Sequence, residues 1–459
     1  MRFFNTNTDH EQILKKEIHP LFVSFLIPNF VAMLAASLTF FVDAYVIGNG
    51  IGETGFAVVG LTAPISGILY ALGAWLGFGG STLFSVYSGA EEEKRAKGVF
   101  TSTFLCLIAA VLLIVILGLI FTQRIISFLG AEGELLKVSA LYAKYILFFG
   151  PTYAIEQYIA PFLRNDNEQN VAMRGAIAGS IVNCFLDVFL VLVLKMDVTG
   201  IALSIGLSLI TICAVDLSVL FKRGSSLRFS LHPDMLWDLW KSVCVGLPSL
   251  VSEASSSVVA LVFNWMILRS AGESEVAVYG VIVNLSSIVV LLLMAPSNSM
   301  QPIVSSNFGA GKHNRSKQAL KCSILYCLAL SLFFALIGFF FTKQVTSIFI
   351  EDGNMRFIDL AIPAIRLAFL SYIFCGLTNQ FTVYLQSMSA NKVATTVSVL
   401  RGVILPVTCV ILLGLLFGIR GVWTSMVVSE VLGTIFGSVA VRNIDPAALE
   451  TAFEEDVEL

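Results

Sequence analysis

Long apolar runs, separated by short polar breaks, set the pattern of this chain. A helix needs about 20 mostly apolar residues to cross a bilayer. On that criterion the runs predict about twelve spans: 20–47, 57–87, 98–121, 138–163, 171–194, 199–221, 242–268, 276–306, 318–341, 360–385, 393–418 and 421–441. Several exceed the minimum, which implies tilt or helical extension past the hydrocarbon. Pro28, Pro64, Pro248, Pro296 and Pro406 fall inside these runs and are expected kinks.

The runs also repeat. Ile27-Pro28 matches Leu247-Pro248, Gly52-Glu53 matches Gly272-Glu273, and Ser85 matches Ser305, all at an offset of 220. Gly89-Ala90 followed by Arg95 and Lys97 matches Gly309-Ala310 followed by Arg315 and Lys317 at the same offset. Further on the offset becomes 222 for Val171-Ala172 against Val393-Ala394, and 221 for Gly200 against Gly421. Each half holds an even number of spans, so both enter the membrane from one side. The predicted fold is an all-α integral membrane protein of two pseudo-symmetric six-helix bundles, arranged as parallel repeats. Such repeats place a cavity between halves that rock to give alternating access. The expected division is an N-terminal lobe at 1–222, a linker with a short interfacial helix at 223–241, a C-terminal lobe at 242–445 and an acidic tail at 446–459.

Composition agrees with a bilayer as the solvent. The chain is 57% hydrophobic and 13% charged, against about 45–50% apolar and about 25% charged for soluble domains. Lys and Arg favour one set of connections (Lys15, Lys16, Lys94, Arg95, Lys97, Arg164, Lys222, Arg223, Arg228, Lys312, Arg315, Lys317 and Arg442) by roughly two to one over the opposite set. Both termini are therefore expected in the cytoplasm, with the chain in the inner or plasma membrane. The polar stretch from Met1 to Pro20 has no signal-peptide pattern, so the first span is the expected insertion signal. No basic tract points to nucleic acid. The eight cysteines lie in apolar runs and the four histidines in polar connections, neither with metal-ligand spacing, so no metal site is expected.

The informative residues are acids at membrane depth. On insertion scales each costs about 2.5–3.5 kcal/mol at a helix centre, so they face the bundle interior and mark ion or substrate paths. Asp43 lies late in the first span, Glu156 in the fourth, Asp187 in the fifth, Glu253 in the seventh and Glu430 in the last. Asn183 and Asp187, at i and i+4, share one helix face. Some of these carboxylates are expected to change protonation or cation occupancy during a transport cycle. Arg401 is the basic residue clearly within a span and could snorkel to the interface. Glu156, Glu253, Asn284, Gln301 and Glu430 are the expected lining of a substrate cavity. The segment Phe308 to His313 looks superficially like a phosphate loop. It has Ser306 where the first glycine belongs and His313 where Ser or Thr is required, so ATP use is not expected.

Asp43-Ala44-Tyr45-Val46-Ile47-Gly48, the Gly89-Ala90 and Gly309-Ala310 span ends, Arg164-Asn165-Asp166, and Asn183 to Asp187 followed by Gly200-Ile201-Ala202-Leu203-Ser204 resemble the multidrug and toxic compound extrusion (MATE) transporters. The ordered set covers nearly the whole chain. The resemblance implies a secondary exporter of organic cations coupled to H+ or Na+, with no other cofactor, working as a monomer in lipid. It puts the coupling site on Asp43, Asn183 and Asp187; the position matching the family's sixth-span hydroxyl is Ile205, with Ser204 one residue earlier as the candidate hydroxyl. Glu253 resembles the seventh-span glutamate of another branch, but the tenth span has no acid to complete a C-lobe set. A flippase for a lipid-linked precursor would want basic cavity residues for pyrophosphate, and the acids here favour organic cations. A membrane enzyme would need a clustered nucleophile, metal or acid/base set, which the sequence does not offer. A channel fits paired halves with asymmetric acids less well than alternating access does.

Overall fold

The computed structural model describes residues 13–222, 226–347, 355–446 and 448–449. His10, Arg223, the side chain of Arg356 and the expected acidic tail beyond Leu449 lie outside the described residues. The described chain is helical. Its first half holds α1 (Ile18–Gly50), α2 (Glu53–Gly89), α3 (Glu93–Phe128), α4 (Gly133–Phe148), α5 (Gly150–Asn165), α6 (Gln169–Asp187) and α7 (Asp197–Leu217). Its second half holds α8 (Met235–Ser270), α9 (Glu273–Gly309), α10 (His313–Phe340), α11 (Met355–Ser387), α12 (Asn391–Val399), α13 (Leu405–Phe417) and α14 (Ile419–Asn443). Eleven helical stretches among the described residues are long and apolar enough to cross a membrane. The expected fourth span is divided between α4 and α5. The break is at Phe149, two residues before Pro151, whose ring nitrogen has no N–H to continue the helix from α4 and which suits the first turn of a new one. Phe149 is held there because its ring fills the space above Gly206 of α7, where a Cβ would fall 2.3 Å away.

The repeat is written in the backbone as well as the residues. Left-handed positions recur at Gly52 and Gly272, at Glu91 and Gly311, and at Asn167 and Ser389, the same offsets of 220 and 222 that the residue matches show. At the second pair the following amide closes the helix end in both halves, Glu92 onto Tyr87 at 2.8 Å and Lys312 onto Asn307 at 2.7 Å. This five-residue closure leaves the last turn satisfied and needs a left-handed residue just before it.

The chain divides into two compact units. One comprises Ile27–Gly246 with the described residues up to Lys16, and the other comprises Glu17–Leu26 with the chain from Leu247 onward. The first turns of α1 thus belong to the second unit, and the first turns of α8 to the first. The short interfacial helix expected in the linker is instead the start of α8, which runs unbroken from Met235. The reason is Asp238. Its carboxylate is fully buried, accepts from Arg95 at 3.1–3.2 Å and takes the Tyr87 hydroxyl at 2.8 Å. Trp75 donates from Nε1 to the Val243 carbonyl at 2.8 Å, and Gly79 and Gly246 let α2 and α8 approach to backbone contact. Segment 226–246 is thereby part of the first unit.

Within the first unit α2 packs along α5, with Gly73 and Gly77 against the backbone of Ala154 and Tyr158. In the second unit a continuous apolar core draws on α8, α9, α11, α13 and α14, with Phe263, Tyr279, Phe369 and Trp423 among its members.

Candidate functional site

The first unit brings Asp43, Asn183, Asp187 and Ser204 together from three helices. Asp43 lies late on α1 and is half-buried. Asn183 and Asp187 are one turn apart on α6, and they and Ser204 of α7 are essentially inaccessible. With its amide nitrogen turned to the carboxylates, Asn183 donates to Asp43 Oδ1 at 2.7 Å and to Asp187 Oδ2 at 3.3 Å. The Ser204 hydroxyl donates to Asp187 Oδ1. The Asp43 and Asp187 carboxyls are within hydrogen-bond reach of each other.

Two carboxylates so close repel unless a proton or cation lies between them. Among the described residues the donors to the pair are neutral, one amide and one hydroxyl. The arrangement can therefore accommodate one positive charge between the two acids.

Local backbone sets this geometry. Directly after Asp187 the helix widens into a π-helical segment, Val188–Val193, closed by Leu194 N–H donating to Phe189 at 2.9 Å. Such bulges recur at functional sites because they rotate side chains off the α-helical register. The bulge is clamped by glycines: a Cβ on Gly50 would fall 2.5 Å from Val191, and one on Gly200 3.0 Å from it. The sequence carries no clear signal for this bulge.

At the positions equivalent to Asp43 and Asp187 the second half has Phe263 and Cys409. Phe263 is stacked on Tyr279 with ring centroids 5.4 Å apart, inside the apolar core. The scaffold repeats and the acid pair does not.

The five expected cavity residues fall in different settings. Glu253 on α8 and Asn284 on α9 are exposed, the latter with its amide donating to its own helix at Gly280. Gln301 is buried within the second unit. Glu430 on α14 lies 3.5 Å from Arg401. Arg401 does not snorkel: it sits in a second π-helical segment, Leu400–Ile404, and also donates to Cys375 Sγ at 3.0 Å. Glu156 lies in the first unit on α5, with Oε2 buried and lacking a hydrogen-bond partner.

Sequence reading missed Asp216. It falls inside a predicted span, near the end of α7, and is 1% exposed; its place within 199–221 was the available signal. It also missed the tyrosines Tyr70, Tyr142 and Tyr153, which interact electrostatically with Asp43. Tyrosine in an apolar run reads as one more core aromatic.

A family description, MatE, matches residues 28–189 and 248–411, one copy in each half. Among curated relatives, a multidrug export protein MepA of Staphylococcus aureus (strain MSSA476) is 26% identical over 432 residues, covering 92% of this chain and 94% of the relative. MepA of Staphylococcus saprophyticus is 26% identical over 425 residues, covering 91% and 92%. Among solved structures, an outward-facing multidrug resistance MATE family transporter of the MOP superfamily superposes with a TM-score of 0.89 at 22% identity, over 96% of this chain and 98% of that one. A MOP superfamily transporter from Pyrococcus furiosus, described by the reverse polarity of its binding pocket, superposes with a TM-score of 0.86 at 22% identity, over 96% and 98%.

Proposed function

Because the chain belongs to the MatE family, and is therefore a multi-pass membrane transporter of the multidrug efflux class and not an enzyme, we propose that it exports organic, mainly cationic amphiphilic compounds in exchange for H+ or Na+ by alternating access. The observation that carries this reading is the hydrogen-bonded Asp43–Asn183–Asp187–Ser204 set, buried except at Asp43. A pair of acids with room for one positive charge is what an exchanger needs: it holds the coupling ion in one state and is unstable without it in the other.

The balance of charge supports cations as cargo. Arg401, within a span, lies beside Glu430, and Arg164, in the last turn of α5, interacts electrostatically with Glu156 and Asp216. Neither is left over to hold the pyrophosphate of a lipid-linked precursor, the runner-up substrate. Glu253 and Asn284, exposed on α8 and α9, are the proposed polar contacts for a cation. The coupling ion is the only cofactor in this reading. The protein works as a monomer in the plasma membrane with both termini cytoplasmic, on the side richer in Lys and Arg.

Transport in proteoliposomes with imposed pH or sodium gradients, read with a panel of fluorescent organic cations, tests the proposal. Gradient-dependent movement of at least one dye is expected. Asp43→Asn and Asp187→Asn should each reduce it about tenfold or more, within the usual range of coupling between two sites. Movement indifferent to both gradients, or wild-type behaviour of both variants, overturns it.

A further inference from the structure

The second unit repeats the scaffold of the first without its acid pair, and it holds a charged group of its own. Arg401 Nε lies 3.5 Å from Glu430 Oε2 on α14, and Arg401 Nη2 donates to Cys375 Sγ on α11 at 3.0 Å. At the matching positions the first half has Gly179 and Leu209, at the offsets of 222 and 221 that the repeat keeps in this stretch. The pair is therefore not inherited from the repeated scaffold.

The local backbone holds Arg401 against its partners. It lies in the π-helical segment Leu400–Ile404, and Asp187 directly precedes the π-helical segment of the first unit. Such widened turns aim side chains off the α-helical register. Gly402 seats the segment against α8, where a Cβ would fall 2.5 Å from Ser255 Oγ. Gly433 on α14 leaves room for the stem of the arginine, since its Cβ would come 3.6 Å from Arg401 Cγ. One turn beyond Glu430, the Thr434 hydroxyl lies 3.0 Å from that of Thr378 and 3.1 Å from the Phe374 carbonyl, which fastens α14 to α11 beside the pair.

Glu430 keeps binding capacity all the same. Among the described residues its buried Oε2 has no hydrogen-bond partner, because 3.5 Å is an ion-pair distance and too long for a hydrogen bond of ordinary strength. The two side chains are 18% and 20% exposed, so a small ion can reach the carboxylate once the guanidinium is gone. A carboxylate in this setting needs a positive charge beside it. Here a covalently attached guanidinium supplies it and cannot leave. At the Asp43–Asp187 pair the donors are neutral, and a proton or free cation can come and go.

We propose that Arg401 is a tethered substitute for a coupling ion. Its guanidinium fills, at Glu430, the place that a proton or small cation takes at the acid pair of the first unit. The second unit thereby keeps its positive charge through the cycle, and ion exchange is confined to the first unit. The inference rests on the proposed coupling role of Asp43 and Asp187. Removing the guanidinium uncovers a latent cation site at Glu430, open to a proton, to Na+ or to free guanidinium.

The test reads melting temperature in detergent for the full-length wild type, Asp43→Asn, Arg401→Met, Arg401→Lys and Arg401→Met/Glu430→Gln. Each is measured with millimolar guanidinium chloride, with Na+ in place of choline, and at two pH values one unit apart. Arg401→Met should gain a stabilising response to at least one of these cations, on the order of 2–4 °C for one ligand bound in a unit of this size. The double substitution has no acid to serve, and Arg401→Lys keeps the charge, so neither should gain it. Comparison with the double substitution cancels titrating groups other than Glu430, Cys375 among them. No gain in Arg401→Met over the double substitution, or an equal gain in Arg401→Lys, overturns the inference. If Arg401→Met does not fold, the double substitution decides. A folded double shows that the unmatched charge was at fault and supports the tethered ion. A misfolded double shows that the guanidinium acts by packing, and overturns it. The first unit is read separately: wild type should shift with Na+ or pH, and Asp43→Asn should lose that shift. A shift that Asp43→Asn leaves whole, or none in wild type, removes the coupling reading and the confinement built on it. A shift lost in Asp43→Asn with no gain in Arg401→Met sinks the tethered ion alone.

Discussion

At the scale of the residue, membrane depth turns single side chains into commitments. Asp187 is tolerable because Asn183 and Ser204 donate to it. Glu430 and Arg401 answer the same problem differently, by pairing with each other. That pair makes a clear prediction. Arg401→Met or Glu430→Gln leaves a lone partner inside the second unit, and each should cost stability on the order of the 2.5–3.5 kcal/mol that insertion scales assign to such a charge. The double substitution should cost much less than the sum, since both uncompensated charges are gone. Thermal melting of the four proteins in detergent checks this, and additive losses would show that the two side chains do not act as a pair. The acids themselves are easy to find in the sequence, because a charge in an apolar run stands out. Which acid meets which partner is not legible in the local pattern, because Asp43 and Asp187 are 144 positions apart; the family resemblance grouped them, and packing joins them.

At the scale of the element, small residues decide how closely helices approach. Without a hydrophobic driving force between helices in lipid, packing contacts and hydrogen bonds hold the bundle. Gly73 and Gly77 let α2 lie against the backbone of α5, where a Cβ on Gly73 would fall 2.2 Å from the Ala154 carbonyl. Carbonyl oxygen cannot rotate away as a side chain can. Gly73→Val should therefore push the helices apart and destabilise the first unit, by about 1–3 kcal/mol as for other overpacked sites. A drop in melting temperature with unchanged helical content is the expected readout, and wild-type melting would argue that the contact is looser. The spacing of these glycines is visible in the chain, but which helix they face is not. The π-helical segments after Asp187 and around Arg401 are equally hidden, since an extra residue in a turn leaves no mark in an apolar run.

At the scale of the whole molecule, the compact units and the two sequence halves do not share their boundaries. The halves change at the linker, whereas the units change at Lys16/Glu17, at Leu26/Ile27 and at Gly246/Leu247, the last and the second separated by 220 positions like the repeat itself. The last point follows from Asp238, Arg95 and Tyr87, which fasten the start of α8 to the first unit. Asp238→Asn leaves Arg95 buried with a weakened partner and should loosen this fastening. Limited proteolysis in the connection 222–234 should then accelerate severalfold, as expected when a buried pair worth about 3–5 kcal/mol is broken. Unchanged cleavage would show that the glycine contacts of α2 and α8 suffice alone. The sequence by itself determined the membrane class, about twelve spans, the doubled scaffold and the identity of the acids, because the bilayer imposes length and apolarity locally and a repeat preserves its offset. Tertiary structure alone decided the split of the fourth span at Phe149, the fastening of α8 and the pairing of Arg401 with Glu430, and it supplied the contacts that join Asp43 with Asp187, which the family resemblance had named as one site. Each of these depends on contacts between residues far apart in the chain, whose energies no local pattern records.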